Sequence, residues 1–280
     1  MREIDVKDIE NIVRDLCIKA NLYLGEDVIS AFEEAEKKEA SPVGKEIIKN
    51  LIKNAEIAKN EEMPICQDTG MAVFFVEVGQ DVQLVGGNIT EAINEGVRRG
   101  YKDGYLRKSV VKDPLIRENT KDNTPAIIYY DIVPGENIKI TFAPKGFGSE
   151  NMSKTKMLKP SDGMKGVIDF VTETVMNAGP NPCPPIVVGV GIGGTMDKAA
   201  VLAKKALTRS IGSHSEKEHL REIEEMLIRK INNLGIGPQG LGGNTTALAV
   251  HVESFPTHIA GLPVAVNINC HAARHEEVIL

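Results

Sequence analysis

Apolar residues recur at helical spacing from the start of the chain: Val6, Ile9, Ile12, Val13, Leu16 and Cys17 share one face, and the habit resumes over 43–59, after Pro42. Beyond Cys66 the texture turns strand-like over 71–78, 126–133 and 137–142, the last two joined across Pro134-Gly135 as an expected hairpin. Residues 90–101 alternate with helical period, and a second helix is expected over 161–177, opened by a Ser-Asp pair suited to capping. A short apolar strand over 186–189 feeds the glycine-rich run Gly189-Val190-Gly191-Ile192-Gly193-Gly194, which leads into a helix over 195–208. A charged helix over 215–233, a glycine-rich loop over 235–243 and two closing strands, 247–252 and 262–268, complete the pattern. With no linker, repeat or low-complexity segment, the reading is one α/β domain spanning 1–280, divided into two lobes near 145–160.

Composition narrows the function classes. Hydrophobic residues make up 42% of the 280 positions and charged residues 26%, as in globular chains. No apolar run is long enough to span a bilayer, and the N-terminus is acidic at once, so neither a membrane segment nor a signal peptide is expected and the location reads as cytoplasmic. A net charge of −6, no Trp and 4% aromatics argue against a nucleic-acid surface. A small anionic ligand needs only a few local cations, so it stays within reach.

Four cysteines, Cys17, Cys66, Cys183 and Cys270, stand far apart in sequence, and in a cytoplasmic chain each is core filler, ligand or nucleophile. Cys17 lies on the apolar helix stripe and reads as core. Cys66 sits in Pro64-Ile65-Cys66-Gln67-Asp68-Thr69-Gly70, Cys183 is fenced by Pro182, Pro184 and Pro185, and Cys270 closes a strand in Asn267-Ile268-Asn269-Cys270-His271. Taken singly, each is as compatible with packing as with ligation. Together they suggest a three-thiolate metal site. The close Cys pairs of structural zinc are missing, whereas a four-iron cluster on three thiolates leaves one iron open as a Lewis acid.

The segments 65–70, Lys145-Gly146-Phe147-Gly148-Ser149-Glu150-Asn151, Pro182-Cys183-Pro184-Pro185 with 189–195, Gly242-Gly243-Asn244-Thr245-Thr246 and 269–275 resemble, in order, the signatures of the iron–sulfur-dependent class I fumarases and L(+)-tartrate dehydratases. The chain departs mildly from that pattern at Phe147 and Glu150. The resemblance implies helices around mixed, largely antiparallel sheets, and a [4Fe–4S] cluster on Cys66, Cys183 and Cys270. It implies reversible hydration of a small dicarboxylate, fumarate to malate first, with tartrate dehydration as the alternative. It also implies a β subunit that completes the site, the pair associating as a heterotetramer or through the α chains. Gln67, Arg107, Lys145 and Gly148 would hold the substrate, and Asp68 and His258 would move protons.

Each assignment has a plainer rival. Asp68 also suits a turn that bonds its own loop amides, His258 a structural histidine, and Arg107 a surface ion pair. The loop over 145–151 combines amides with a cation, as anion sites do, or is a polar turn. His271 and His275 are spaced for a metal pair on a helix, although orienting Cys270 or meeting a partner, a role Arg274 would share, fits better. Gly189, Gly191 and Gly194 fit a dinucleotide fingerprint, but two helices follow where a second parallel strand with its acid is needed. A non-catalytic iron–sulfur sensor or scaffold is the other competing class.

Overall fold

Over residues 2–280 of the computed structural model, these periodicities resolve into ten strands and eight α-helices. In chain order they are β1 (Arg2–Asp5), α1 (Val6–Leu22), α2 (Glu26–Lys38), α3 (Pro42–Asn60), β2 (Met71–Gly79), β3 (Val82–Val85), α4 (Ile89–Asp103), β4 (Ile127–Val133) and β5 (Ile138–Lys145). They continue as α5 (Phe147–Glu150), β6 (Lys154–Leu158), α6 (Gly163–Ala178), β7 (Ile186–Gly193), α7 (Met196–Ala206), α8 (Glu218–Asn232), β8 (Ala247–Phe255), β9 (Leu262–Asn269) and β10 (Glu276–Ile279). The class is α/β with mixed sheets, as expected. No helix among the described residues is long and apolar enough to cross a membrane.

The chain divides into two compact units, the first formed by Met1–Leu24, Ala55–Phe147 and Arg274–Leu280, the second by Gly25–Asn54 and Gly148–Ala273. In the first, α1 starts where the Asp5 side chain accepts a hydrogen bond from the Lys7 amide, and it buries Ile9, Val13, Leu16, Cys17 and Ala20. Helix α4 packs on it through Gly96 and Gly100. A Cβ at Gly96 would lie 2.6 Å from the Glu10 carbonyl oxygen, and one at Gly100 2.7 Å from the Cys17 Cβ, so only glycine permits this approach. Their shared apolar face meets a sheet of order β10-β5-β2-β4, with Phe74 and Phe142 in ring contact at its centre.

That order corrects the expected hairpin across Pro134-Gly135. Strands β4 and β5 do not pair with each other; β2 lies between them, parallel to β4 and antiparallel to β5. The connection instead closes over the end of β2, where Gly79 N donates to Asn137 O at 2.8 Å and Asp81 N to Gly135 O at 2.9 Å. Hydrophobic β2, buried on both faces over most of its length, gains more from two partners than an edge position would offer.

In the second unit the sheet runs β6-β9-β7-β8, with β7 parallel to β8 and antiparallel to β9. Val188 and Val190 face a core built with α6 and α8, while Gly189 and Gly191 point the other way, toward α7. The glycines therefore belong to the strand, which continues to Gly193 instead of ending at Gly189. A Cβ at Gly189 or Gly191 would stand 2.1 Å from Ala203 O or 2.0 Å from Ala199 O. Close seating of α7 is their purpose. Other adjustments are local: α6 begins at Gly163 after a 3-10 turn over Pro160–Asp162, and β10 follows the two strands that were expected to end the chain.

Candidate functional site

The predicted site residues fall into two groups, one in each unit. In the first, the segment after α3 is pinned where Ile65 N donates to Asn21 O at 3.0 Å, and Cys66 follows, half-buried in a loop. Its Sγ accepts the Asp68 N–H at 3.4 Å, an amide aimed at sulfur of the kind that steadies a thiolate. Asp68 is the best-held residue here. Its Oδ1 accepts from Gly70 N at 3.0 Å, the turn bond of the plainer rival, but its Oδ2 also accepts from Phe147 N at 2.9 Å, and its backbone carbonyl accepts from Arg274 Nη2 at 2.6 Å.

The loop exit is held as firmly. The Tyr101 hydroxyl donates to Thr69 O at 2.8 Å, and burial pushes its ionisation well above the usual tyrosine range, so it stays a donor. Gly70 has φ +76°, and a Cβ there would lie 2.7 Å from Lys145 N, so loop and strand end touch backbone to backbone. Thr69 Oγ1 donates to Arg107 O at 3.0 Å, which fixes the Arg107 backbone while its side chain is exposed. Asn123, fully buried, donates from Nδ2 to Gly70 O at 3.2 Å and accepts from Ser109 N at 2.7 Å. Lys145 is buried, with Nζ donating to Gly146 O at 3.2 Å, and Gln67 is exposed. The structure thus gathers Cys66, Gln67, Asp68, Arg107 and Lys145 around one loop.

In the second unit, Cys183 is exposed and holds the left-handed backbone with φ +55°, a conformation non-glycine residues keep only where their surroundings enforce it. Cys183 N donates to Pro180 O at 3.0 Å, and its carbonyl accepts from His271 N at 3.2 Å. Gln239 donates from both N and Nε2 to Pro184 O at 2.7 Å, and its Nε2 lies 3.2 Å from His271 Nδ1. Cys270 directly follows Asn269, which pairs with Val187 of β7. The backbones carrying Cys183 and Cys270 therefore run side by side. Residues 271–275 form no helix, so the helical His271–His275 metal pair is not built; His271 instead braces the Cys183 loop.

Gly148 lies in α5, with nothing nearer to a built Cβ than Asn181 O at 4.0 Å. Glu150, one of the mild departures from the family pattern, pairs with Lys204 at 2.6 Å and accepts from Asn267 Nδ2 at 2.8 Å, tying α5 to α7 and β9. His258 is exposed in the turn between β8 and β9, its Nδ1 accepting from Ala260 N at 3.2 Å.

Sequence reasoning missed Glu39. Its buried carboxylate accepts from the amides of Ser41, Asn244 and Thr245 at 2.8–3.1 Å, threading the Gly243-Asn244-Thr245 loop onto the end of α2. Burial raises its pKa, but these donors together outweigh that and hold it below the usual carboxylate range. Nothing in the local sequence marks it. An open cleft of about 580 Å³ beside it, lined by Ala35, Lys38, Ile228, Asn232 and Asn244 among others, contains none of the predicted site residues.

Among the described residues, no three His, Cys, Asp or Glu side chains converge on the position of a single metal ion. A cluster makes a different demand, since it spreads its thiolates over the corners of a cube. The donor chemistry fits one: all four cysteines are reduced, Cys66, Cys183 and Cys270 stand at element ends with solvent access, and Cys66 already receives an amide N–H. Cys17 is fully buried, which drives its thiol pKa upward and keeps it protonated in the core.

Comparison with known proteins agrees with this reading of the motifs. A Methanocaldococcus jannaschii protein named, provisionally, L(+)-tartrate dehydratase subunit alpha is 48% identical over 274 residues, covering 95% of each chain. Proteins named L(+)-tartrate dehydratase subunit alpha from two Escherichia coli strains are 34% and 33% identical over 273 and 279 residues, spanning 96% and 98% of this chain and 89% and 91% of theirs. The profile of the family described as Fumarate hydratase (Fumerase) matches residues 10–279. With that span and those relatives, the chain belongs to the fumarate hydratase family of hydro-lyases.

Proposed function

We propose that the chain is the α subunit of a [4Fe–4S] hydro-lyase that dehydrates a small hydroxy dicarboxylate, with L(+)-tartrate as its leading substrate. The observation that carries this reading is the near full-length similarity to proteins named L(+)-tartrate dehydratase subunit alpha. It shifts the preference away from fumarate, the first expectation from the motifs. The same names supply a partner, a β subunit, and symmetric association of two such pairs would give a heterotetramer.

Cys66, Cys183 and Cys270 are the residues that would hold the cluster. When bound, it supplies a Lewis-acidic iron that helps a hydroxyl depart. The chain's own groups do the rest. Arg107 offers a planar fork to one carboxylate, and Gln67, Lys145 and the Gly148 amide add donors. Asp68 takes the proton from carbon: its two oxygens are oriented by Gly70 N and Phe147 N, and each retains lone-pair capacity beyond that bond. His258 is the second group that would move a proton, with Nδ1 engaged by Ala260 N and Nε2 left to face the substrate.

Fumarate and malate form the second reading, favoured by the description of the matching family profile. Anaerobic assay of the cluster-reconstituted chain with its β subunit separates them. L(+)-tartrate is expected to turn over with kcat/KM at least about tenfold above malate, a difference of about 1.4 kcal/mol in the barrier. Preference for malate and fumarate would replace the leading substrate, and a loaded pair silent toward all three would favour the sensor or scaffold class.

A further inference from the structure

Beyond Arg107, in the segment between α4 and β4, residues 110–120 build a projecting arm that the chemistry above does not use. Lys112 N donates to Glu118 O at 2.7 Å and Thr120 N to Val110 O at 2.9 Å, so residues 110–120 fold back on themselves as a short antiparallel ribbon. At its tip Asp113 Oδ1 accepts from both Leu115 N and Ile116 N at 2.8 Å. At its base Asn123 and Asn119 tie it to Ser109 N and Lys108 O at 2.7 and 2.9 Å. Tyr105, Arg117, Lys121 and Asn123 all take positive φ, four of the seven non-glycine residues that do so among the described residues. This is a rigid, strained device, and strain of this kind persists where the surroundings over-determine it.

What the arm displays is unusual for a turn. Leu115 and Ile116 are 90% and 81% exposed, side by side at the tip, where turn chemistry ordinarily places polar residues. Lys112 is neutralised by Glu118 at 2.5 Å, and the Asp113 carboxylate is engaged in the turn. Lys108, Arg117 and Lys121 are exposed and form no ion pair among the described residues. A basic collar thus surrounds an apolar tip on a chain whose net charge is −6. Such a surface is complementary to an apolar pocket with an acidic rim.

We propose that this arm is a docking element for the β subunit, its Leu115-Ile116 tip seated in an apolar pocket and Lys108, Arg117 and Lys121 meeting acidic groups around it. The proposal rests on the α-subunit reading above. The β subunit is the occupant because relatives matched over nearly the whole chain are named alpha subunits, which presupposes such a partner; a second copy of this chain is an outcome that the test decides. The arm is one anchor within a larger interface, because stable interfaces bury roughly 1,600 Å² and concentrate their affinity in a few apolar anchors.

The test is co-expression of the full chain with the β subunit from the same source, followed by sedimentation and affinity measurement at two salt concentrations. Leu115→Asp combined with Ile116→Asp should weaken the complex roughly 100-fold, with the melting temperature of the isolated chain unchanged because both side chains already face water. Arg117→Glu with Lys121→Glu should slow association and reverse its salt dependence. If the wild-type pair forms no complex, the α-subunit reading fails and takes the docking role with it. If the wild-type pair forms and the tip variant binds equally well, the docking proposal alone is overturned. Loss of self-association with the heteromer intact would assign the arm to a second copy, and an intact complex with only a raised KM would make it a lid; either result overturns the proposal.

Discussion

Arg274 Nη2 donates to the backbone carbonyl of Asp68 at 2.6 Å, while its Nε and Nη1 are buried without a hydrogen-bond partner. A buried guanidinium that satisfies one carbonyl and leaves two donors unmatched is a poor source of stability, since each buried unsatisfied donor costs about 1–3 kcal/mol. Its value lies in fixing the loop that carries Cys66 and Asp68. Arg274→Lys, which keeps the charge but loses the fork, is expected to lower kcat/KM about 10- to 100-fold with little change in melting temperature. Steady-state kinetics beside calorimetry would show this, and a variant with wild-type kinetics would remove the positioning role.

The four cysteines should divide three to one. Cys66→Ser, Cys183→Ser and Cys270→Ser are each expected to abolish the visible absorption of the reconstituted cluster together with turnover. Cys17→Ser places a hydroxyl in the packed face between α1 and α4, so it should retain cluster and activity while losing about 1–3 kcal/mol of stability. Iron content and denaturant titration of the four variants provide the readout. Cluster retention in any of the first three would break the proposed ligand set.

Acid should loosen the second unit through His251. Both of its ring nitrogens are buried without a partner, and burial, followed by the nearby Arg209, holds its pKa at about 4, against an ordinary value of 6.5. Between those values the unfolded chain takes up a proton that the folded chain refuses. Stability therefore falls as pH drops from 6.5 toward about 4, by at most about 3 kcal/mol, and this contribution changes no further below that. His251→Leu should flatten the denaturation midpoint across this window, and an unchanged slope would show that other groups dominate it.

Removing the charge of Glu39 should unfasten the Gly243-Asn244-Thr245 loop. Its carboxylate accepts bonds from three backbone amides, and charge-assisted bonds of this type contribute about 1.5–3 kcal/mol. Glu39→Gln keeps the shape but replaces one acceptor oxygen with a donor that faces donors. A loss of about 2–3 kcal/mol is expected, with faster amide exchange at Asn244 and Thr245. Unaltered exchange there would mean that the loop is held by other contacts.

Long elements were legible because their period repeats many times. The apolar stripe of α1 and the buried run of β2 needed no tertiary information. Strands β1, β3, β6 and β10 went unread because four or five residues cannot establish a period of two. The false hairpin has the same root: Pro134-Gly135 is a sound local turn signal, but which strand fills the space beside β5 is a non-local contest that β2 wins. The glycines of β7 were visible, yet their reason, the proximity of the Ala199 and Ala203 carbonyls, exists only once α7 packs. At the site, the motif residues stood out by composition. Their supports did not: Tyr101 and Asn123 reach the Cys66 loop from 30 or more positions away, and Glu39 finds two of its three amides across more than 200.

Chain connectivity carries a further consequence. The polypeptide changes unit after Leu24, after Asn54, after Phe147 and after Ala273, so neither unit is an unbroken stretch of sequence. No single truncation isolates either one, since removing 1–24 or 274–280 leaves the second unit whole but still joined to the rest of the first. Two of the four passages fall inside the motif segments, between Phe147 and Gly148 and between Ala273 and Arg274. Two of the motif segments are therefore also places where the chain passes from one unit to the other, so a change of length there alters both units at once.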